Sequence, residues 1–417
     1  MSALPTPTGT GAADWVVEHL GYLHSDDVVS PSPRFRGTQA AADAALAALD
    51  IVGYARRRNE VLPQSKRGAT ALSPYIRHGL LSLPQVSAAV ANAPSKDRQK
   101  FRDELMWQEY ARHVYARLGS RNAEALRFEP TRVGTDVDGS DAWDRSMACM
   151  DATVGELERD GWLVNQTRMW MASQWSVRHG ADWRDGEDRF FVHLLDGSRA
   201  ANRLGWQWTI GAGTGKPYGF SRWQVEKRAP ELCVGCARRG DCPIEEWPTE
   251  QTLARVDADQ RLDRDADPEA TAGPRATNTT TTTTTSRATT TSGDAEIVWL
   301  TAESLGDDDP ALSAHPDLPV VFVFDEPLLT RLKLSSKRLV FLAERLAELA
   351  ETRTVEVHLG DPAEVLAGRT LATTFTPVPK ARRLRAELDV VDLHPWPWLV
   401  RPSSGPISSF SAWRRGR

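Results

Sequence analysis

This sequence predicts a mostly α-helical domain followed by a smaller α/β domain with a mainly parallel sheet, on three observations. Through residue 248, apolar residues recur at helical spacing and strand-like alternation is nearly absent. Beyond Ala295, short apolar runs such as IVWL and PVVFVFD alternate with helical patterns, as buried parallel strands joined by helices do. Between the two, residues 249–292 turn acidic and Ala-rich and then run into TNTTTTTTTSRATTT, a stretch with almost nothing apolar to bury and the composition of a disordered linker.

Residues 1–13 are small and polar and expected to be disordered, which leaves 14–248 for the helical domain and 293–417 for the α/β domain. Ala-rich TQAAADAALAALD (38–50) is a helix. GATALS (68–73) is a polar turn entering a helix, where hydroxyls and free backbone N–H groups suit either a phosphate or a plain N-cap. Residues 100–118 read as a long amphipathic helix, and 146–158 and 165–178 as a helix pair around Gly161. In the second domain LSSKRLVFLAERLAELAE is a helix, and TVEVHL, TLATTF and LDVVDL are further strands. Gly360-Asp361 falls at a strand end, where open sheets bind ligands, but no GxGxxG supports a dinucleotide there.

The formal net charge of -5 does not advertise a nucleic-acid partner, although a local basic groove survives in an acidic protein. Basic residues between Arg34 and Arg239 are almost all Arg, which suits phosphate contacts. Fifteen Trp against six Tyr point to large aromatic cores, stacking surfaces or electron relays. The N-terminal stretch lacks the basic start and apolar run of a secretory signal, and no window is long and apolar enough to span a membrane. A cytoplasmic monomer is the expectation. In such a chain four cysteines argue for metal or redox chemistry over disulfides.

Cys233, Cys236 and Cys242 offer three thiolates in close succession, and Cys149 completes a set of four if it folds back. Zinc and a [4Fe–4S] cluster both fit that spacing. Asp196, Asn202, Trp206 and Trp208 set short polar side chains beside large rings, with Arg168 on the preceding helix as an ion-pair partner for Asp196. The pair reads equally as structural or as part of a flavin site, which needs donors and acceptors at the ring edge with aromatics close by.

The blocks FRDELMWQEYARH, GWLVNQTRM, DWRDGEDRFFVHLLDG, AANRLGWQW and GAGTGKPY, in this order, resemble the photolyase/cryptochrome family over about residues 34–248. The resemblance implies a helical FAD-binding domain, and the C-terminal region is similar to the family's Rossmann-like α/β antenna domain. In the family that domain comes first, so the chain looks circularly permuted. The opening TAESLGDDD lacks the family's basic character and argues against an antenna chromophore.

By resemblance, Tyr54, Thr70, Leu72 and Ser73 hold the FAD phosphates and ribityl chain. Trp107 and Glu109 face the adenine and substrate cavity, Arg168 and Asp196 pair beside the isoalloxazine, and Asn202 faces flavin N5. Ser198 stands where the family usually has Asp. Trp206 and Trp183 match the first two members of a tryptophan relay, with Trp170 and Trp175 as further candidates. Cys149, Cys233, Cys236 and Cys242 match the iron–sulfur branch and imply a [4Fe–4S] cluster. That branch commonly repairs (6-4) photoproducts with histidines on the helix that here carries Asn165 and Met169, a pair similar to the cyclobutane-dimer pattern. The resemblance therefore implies a light-driven lyase acting on cyclobutane pyrimidine dimers in UV-damaged DNA. A cryptochrome-like blue-light sensor and a (6-4) photolyase are the alternatives.

Overall fold

The computed structural model describes residues 2–130, 138–248, 252–257, 259–276 and 294–416. It begins with a short strand, β1 (Ser2–Leu4), and helix α1 (Ala12–Leu20). The helical domain continues with α2 (Gln39–Ala47), α3 (Tyr54–Arg57), α4 (Ser73–Arg77), α5 (Leu83–Ala89), the 24-residue α6 (Ser95–Leu118) and α7 (Ala148–Asp160). Then come α8 (Asn165–Ala172), a π-helical turn over Ser173–Arg178, α9 (Trp183–His193), α10 (Ala201–Thr209), α11 (Arg222–Arg228) and α12 (Pro230–Val234). Two short helices follow, α13 (Gln260–Asp263) and α14 (Pro268–Ala272).

The second domain runs β2 (Ile297–Leu300), α15 (Pro310–Ala314), β3 (Val320–Asp325), α16 (Glu326–Leu332), α17 (Ser336–Leu349), β4 (Val355–Gly360) and α18 (Pro362–Val365). It ends with β5 (Leu371–Thr374), α19 (Pro379–Glu387), β6 (Val390–His394) and α20 (Phe410–Arg415). The strands form one sheet in the order β1-β4-β3-β2-β5-β6, parallel except for β1. A helical first part followed by a mainly parallel α/β domain is thus the architecture that the periodicity predicts.

Two boundaries differ from the expectation. Residues 2–4 are not disordered but pair antiparallel with β4, Ser2 opposite Leu359, because backbone hydrogen bonding at a sheet edge needs no apolar side chains. Much of the segment expected as linker is folded too. Asp259 and Asp267 cap α13 and α14, Leu262 and Ala272 are buried, and Arg117 of α6 pairs with Asp265 at 3.3 Å. The Thr-rich run, 277–293, lies outside the described residues.

The domains share one core. Helix α17 packs on the sheet and against Trp15, Val16 and Leu20 of α1, and almost every residue on it is buried. Its charged groups bond into the helical domain. Arg338 donates to the carbonyls of Phe191 and Leu194, Glu344 accepts from Gly37 N at 2.6 Å, and Glu348 accepts from Gln39 N at 2.5 Å and Ala40 N at 3.0 Å. Gly37 lies so close to the Phe341 carbonyl that a Cβ would overlap it. Asp361 accepts from Ala363 N at 2.9 Å as the cap of α18, so the strand-end aspartate has a structural partner.

His78 joins the two domains. Its Nδ1 lies 2.8 Å from the Ala302 carbonyl and its Nε2 3.0 Å from that of Leu195. The carbonyls favour a protonated ring, but burial outweighs them, aided by Arg77 and Arg338, and pushes the ring down to about 3. Below the unfolded value of 6.5 the unfolded chain therefore takes up a proton that the folded chain does not. Stability is full above pH 6.5 and is lost as pH falls toward 3. Urea unfolding at pH 7 and pH 5 should show a drop of about 2 kcal/mol that is absent in His78→Gln.

Candidate functional site

A cavity of about 950 Å³ opens between α6, α8, α10 and the turn before α4, at the upper end of the range for small-molecule sites. The GATALS turn bends through Ala71, whose φ of 56° is left-handed and costly for a residue with a Cβ. With that bend residues 69–73 all line the cavity, and Ser73 Oγ accepts from Trp162 Nε1 at 2.9 Å. Asp97 caps α3 through Gly53 N and Ala55 N, and Tyr54 sits edge-on to Phe101 at the same wall.

The opposite wall is built on Arg168. Its guanidinium forks onto Asp196, with bonds of 3.1 and 2.7 Å, and reaches Asn202 Oδ1 at 3.2 Å and the Leu163 carbonyl at 3.0 Å. On this wall two buried N–H groups are left without partners, Asn202 Nδ2 and Trp206 Nε1, as is Trp396 Nε1 elsewhere in the lining. Nine Arg and Lys residues line the cavity against four carboxylates, a surplus suited to a polyanion. Tyr54, Thr70, Leu72, Ser73, Trp107, Asn165, Arg168, Met169, Asp196, Ser198, Asn202 and Trp206 all come together here.

Glu109 and Trp183 do not line the cavity. Glu109 is fully buried on the flank of α6, about 100° around the helix from cavity-lining Gln108, and its Oε1 accepts from Val400 N at 2.9 Å. The carboxylate at this wall is Glu104, which pairs with Lys100 at 2.9 Å and Arg58 at 3.3 Å. Its signal was legible: Phe101, Glu104, Leu105, Gln108, Arg112 and Tyr115 recur at helical spacing, and all face the cavity. The α/β domain supplies the rest of the wall, including Glu303, Arg331, Pro377, Lys380, Arg383 and Trp396. No local motif marks those residues.

Behind Trp206 the π-helical turn presents Trp175. Gly186 is the spacer, since a Cβ there would overlap both rings. Trp175 then meets Trp143 with ring centroids 4.9 Å apart. Trp183 is buried in the same core under the Arg184 guanidinium and, among the described residues, makes no close ring pair. Trp170 stacks on Phe220 instead.

Cys149 lies on α7 and Cys233 on the adjoining α12, with Cys236 and Cys242 in the loop beyond. Ala148 N donates to Cys236 Sγ at 3.4 Å. Burial, reinforced by Cys233, pushes the Cys149 thiol up to about 12, and burial beside Glu226 pushes Cys233 up to about 11. No three of the four sulfurs lie within 4.8 Å of one another, whereas thiolates around one zinc ion sit about 3.8 Å apart.

Comparison with known proteins adds to this geometry. Residues 101–228 match the family described as the FAD binding domain of DNA photolyase. Over these residues the chain is similar to the photolyase/cryptochrome superfamily. It is similar to the deoxyribodipyrimidine photo-lyase of Vibrio cholerae, 30% identical over 204 residues, which are 45% of this chain and 43% of that protein. The photo-lyase of Thermus thermophilus is 31% identical over 202 residues, 46% of this chain and 47% of its own. The chain thus spans less than half the length of these relatives. A solved class III photolyase from Agrobacterium tumefaciens is similar at 25% identity and a TM-score of 0.40, covering 56% of this chain and 48% of that one. Among the described residues no helix is long and apolar enough to cross a membrane.

FAD is the cofactor implied by this domain of the superfamily, and the residues present fit it. The cationic surplus suits its pyrophosphate, and the two unpartnered N–H groups suit the acceptors of a flavin ring. Removing Arg168 leaves Asp196 buried without its cation. Arg168→Ala should destabilise the protein by about 3–5 kcal/mol and lower its flavin content, as read by thermal melting and by absorbance of the purified protein.

Proposed function

We propose that this protein repairs cyclobutane pyrimidine dimers in DNA by light-driven electron transfer, with FAD held in the cavity. The observation that carries the reading is the cavity's division of labour. One wall pairs Arg168 with Asp196 beside Asn202 and Trp206, and another sets the carboxylate of Glu104 one helical turn from Trp107, with Asn165 and Met169 in the same lining. The chemistry supplied by bound reduced FAD is electron donation to the lesion under blue light, with return of the electron after the ring splits.

The chain's residues bind and orient. Tyr54, Thr70, Leu72 and Ser73 hold the phosphates and ribityl chain, Arg168 and Asp196 flank the ring, Asn202 donates at its edge, and Ser198 lies beside them. Trp107 offers a stacking face to a lesion flipped from the duplex, and Glu104 takes the hydrogen-bonding role assigned from resemblance to Glu109. Trp206, Trp175 and Trp143 form the relay for photoreduction, an order supported by the contacts through Gly186. Cys149, Cys233, Cys236 and Cys242 hold a [4Fe–4S] cluster. That reading rests on the match of the four cysteines to the iron–sulfur branch in sequence. The domain order is a circular permutation of the family's, and the addition of residues 2–4 to the sheet of the last domain suits that reading.

A light-dependent assay on thymine-dimer DNA with the reduced flavoprotein tests the function. Wild-type protein should repair, Glu104→Gln should slow repair by about ten-fold or more, the worth of one hydrogen bond to a charged group, and Glu109→Gln should leave the rate near wild type. No repair with reduced flavin bound would replace this reading with a cryptochrome-like sensor. The absorption spectrum tests the cluster: flavin bands with a broad iron–sulfur shoulder are expected, and Cys236→Ser should remove the shoulder but keep the flavin.

A further inference from the structure

The α/β domain carries a second constellation, outside the cavity. His315 follows the C-terminal end of α15, and Asp392 and His394 lie two residues apart on β6, on the same face of that edge strand. Their ligand atoms all lie within 4.8 Å of one another. Nε2 of His315 is 2.9 Å and Nε2 of His394 3.1 Å from a single oxygen, Oδ2 of Asp392, and the two rings meet edge to face with centroids 5.3 Å apart.

Hydrogen bonding accounts for one of these contacts only. His315 Nε2 is hydrogen-bonded to Oδ2. His394 Nε2 is close to the same oxygen but off the axis of a hydrogen bond, and this buried nitrogen has no other partner. An off-axis approach is expected of ligands aimed at a common centre rather than at each other. The spacing also fits, since bonds of about 2.1 Å place neighbouring ligand atoms about 3.4 Å apart around a tetrahedral ion and about 3 Å apart around an octahedral one. Two imidazoles and one carboxylate are a donor set for borderline divalent ions.

We propose that His315, Asp392 and His394 bind a divalent transition-metal ion of the zinc type, with water completing the coordination on the exposed side of Asp392. The supports are already in place: Arg353 Nη1 donates to the His315 carbonyl at 2.9 Å, and Phe375 N to that of His394 at 2.8 Å. The ion ties α15 to the edge strand. The chain leaving that strand carries Trp396 to the cavity wall and Val400 N to Glu109, so the site steadies one side of the cavity from outside it.

The test is a calorimetric titration of the full chain, stripped of loose metal by chelator, with Zn²⁺, alongside Asp392→Asn and His394→Gln. Wild type should bind one more equivalent than either variant, and Zn²⁺ should raise its melting temperature by an amount lost in both. Zinc taken up by the cysteines cancels in this comparison. Equal stoichiometry and an equal melting shift in all three proteins, or no binding below millimolar zinc, overturns the proposal. Should His394→Gln not fold, the half-exposed Asp392→Asn decides alone.

Discussion

A helix buried on every side carries charges only where its neighbours satisfy them, and α17 imposes that constraint on the whole molecule. It lies between the parallel sheet and the helical domain with Arg338, Glu344 and Arg345 all nearly inaccessible to solvent. Arg345 stays within its own domain, at Leu305 O, Asp307 and Glu348. Arg338 and Glu344 reach across, to the turn after α9 and to residue 37. Unpaired, either charge would cost several kcal/mol, so the interface admits one docking of the two domains. Cavity walls drawn from both are thereby held in register.

Helix α6 works in a comparable way on a smaller scale. One face carries Glu104, Gln108 and Arg112 into the cavity, and the flank carries Glu109 and His113 to the chain around Val400, where Val400 N donates to Glu109 and the Val400 carbonyl bonds to His113 at 2.8 Å. Two glutamates five residues apart thus do different things, one at a ligand wall and one as a buried acceptor for backbone. Only the angle around the helix separates them.

Local physics made most of the fold legible. The apolar strands of the second domain, the long amphipathic α6 and the pair around Gly161 follow from period and composition. The elements that departed from expectation depend on partners far away in sequence. Strand β1 has no apolar pattern because its stability comes from β4, and α13 and α14 carry only a few buried residues because α6 supplies the rest of their core. The candidate site divides in the same way. Arg168, Asp196 and Asn202 come together as the motifs imply, whereas Lys380, Arg383 and Trp396 enter only through domain docking. Trp175 lies beside Trp206 because a π-helical turn and a missing Cβ at Gly186 bring it there, and helical spacing alone does not anticipate either.

The pairing of β1 with β4 has a bearing on how the chain reaches this state. Ser2 is made long before Leu359, and the helical domain leaves the ribosome with the surface that will receive α17 still bare. Contacts so distant in sequence slow folding, because loop closure precedes any gain from them. The Thr-rich stretch, polar and poor in apolar residues, adds no hydrophobic run of its own to that exposed nascent surface.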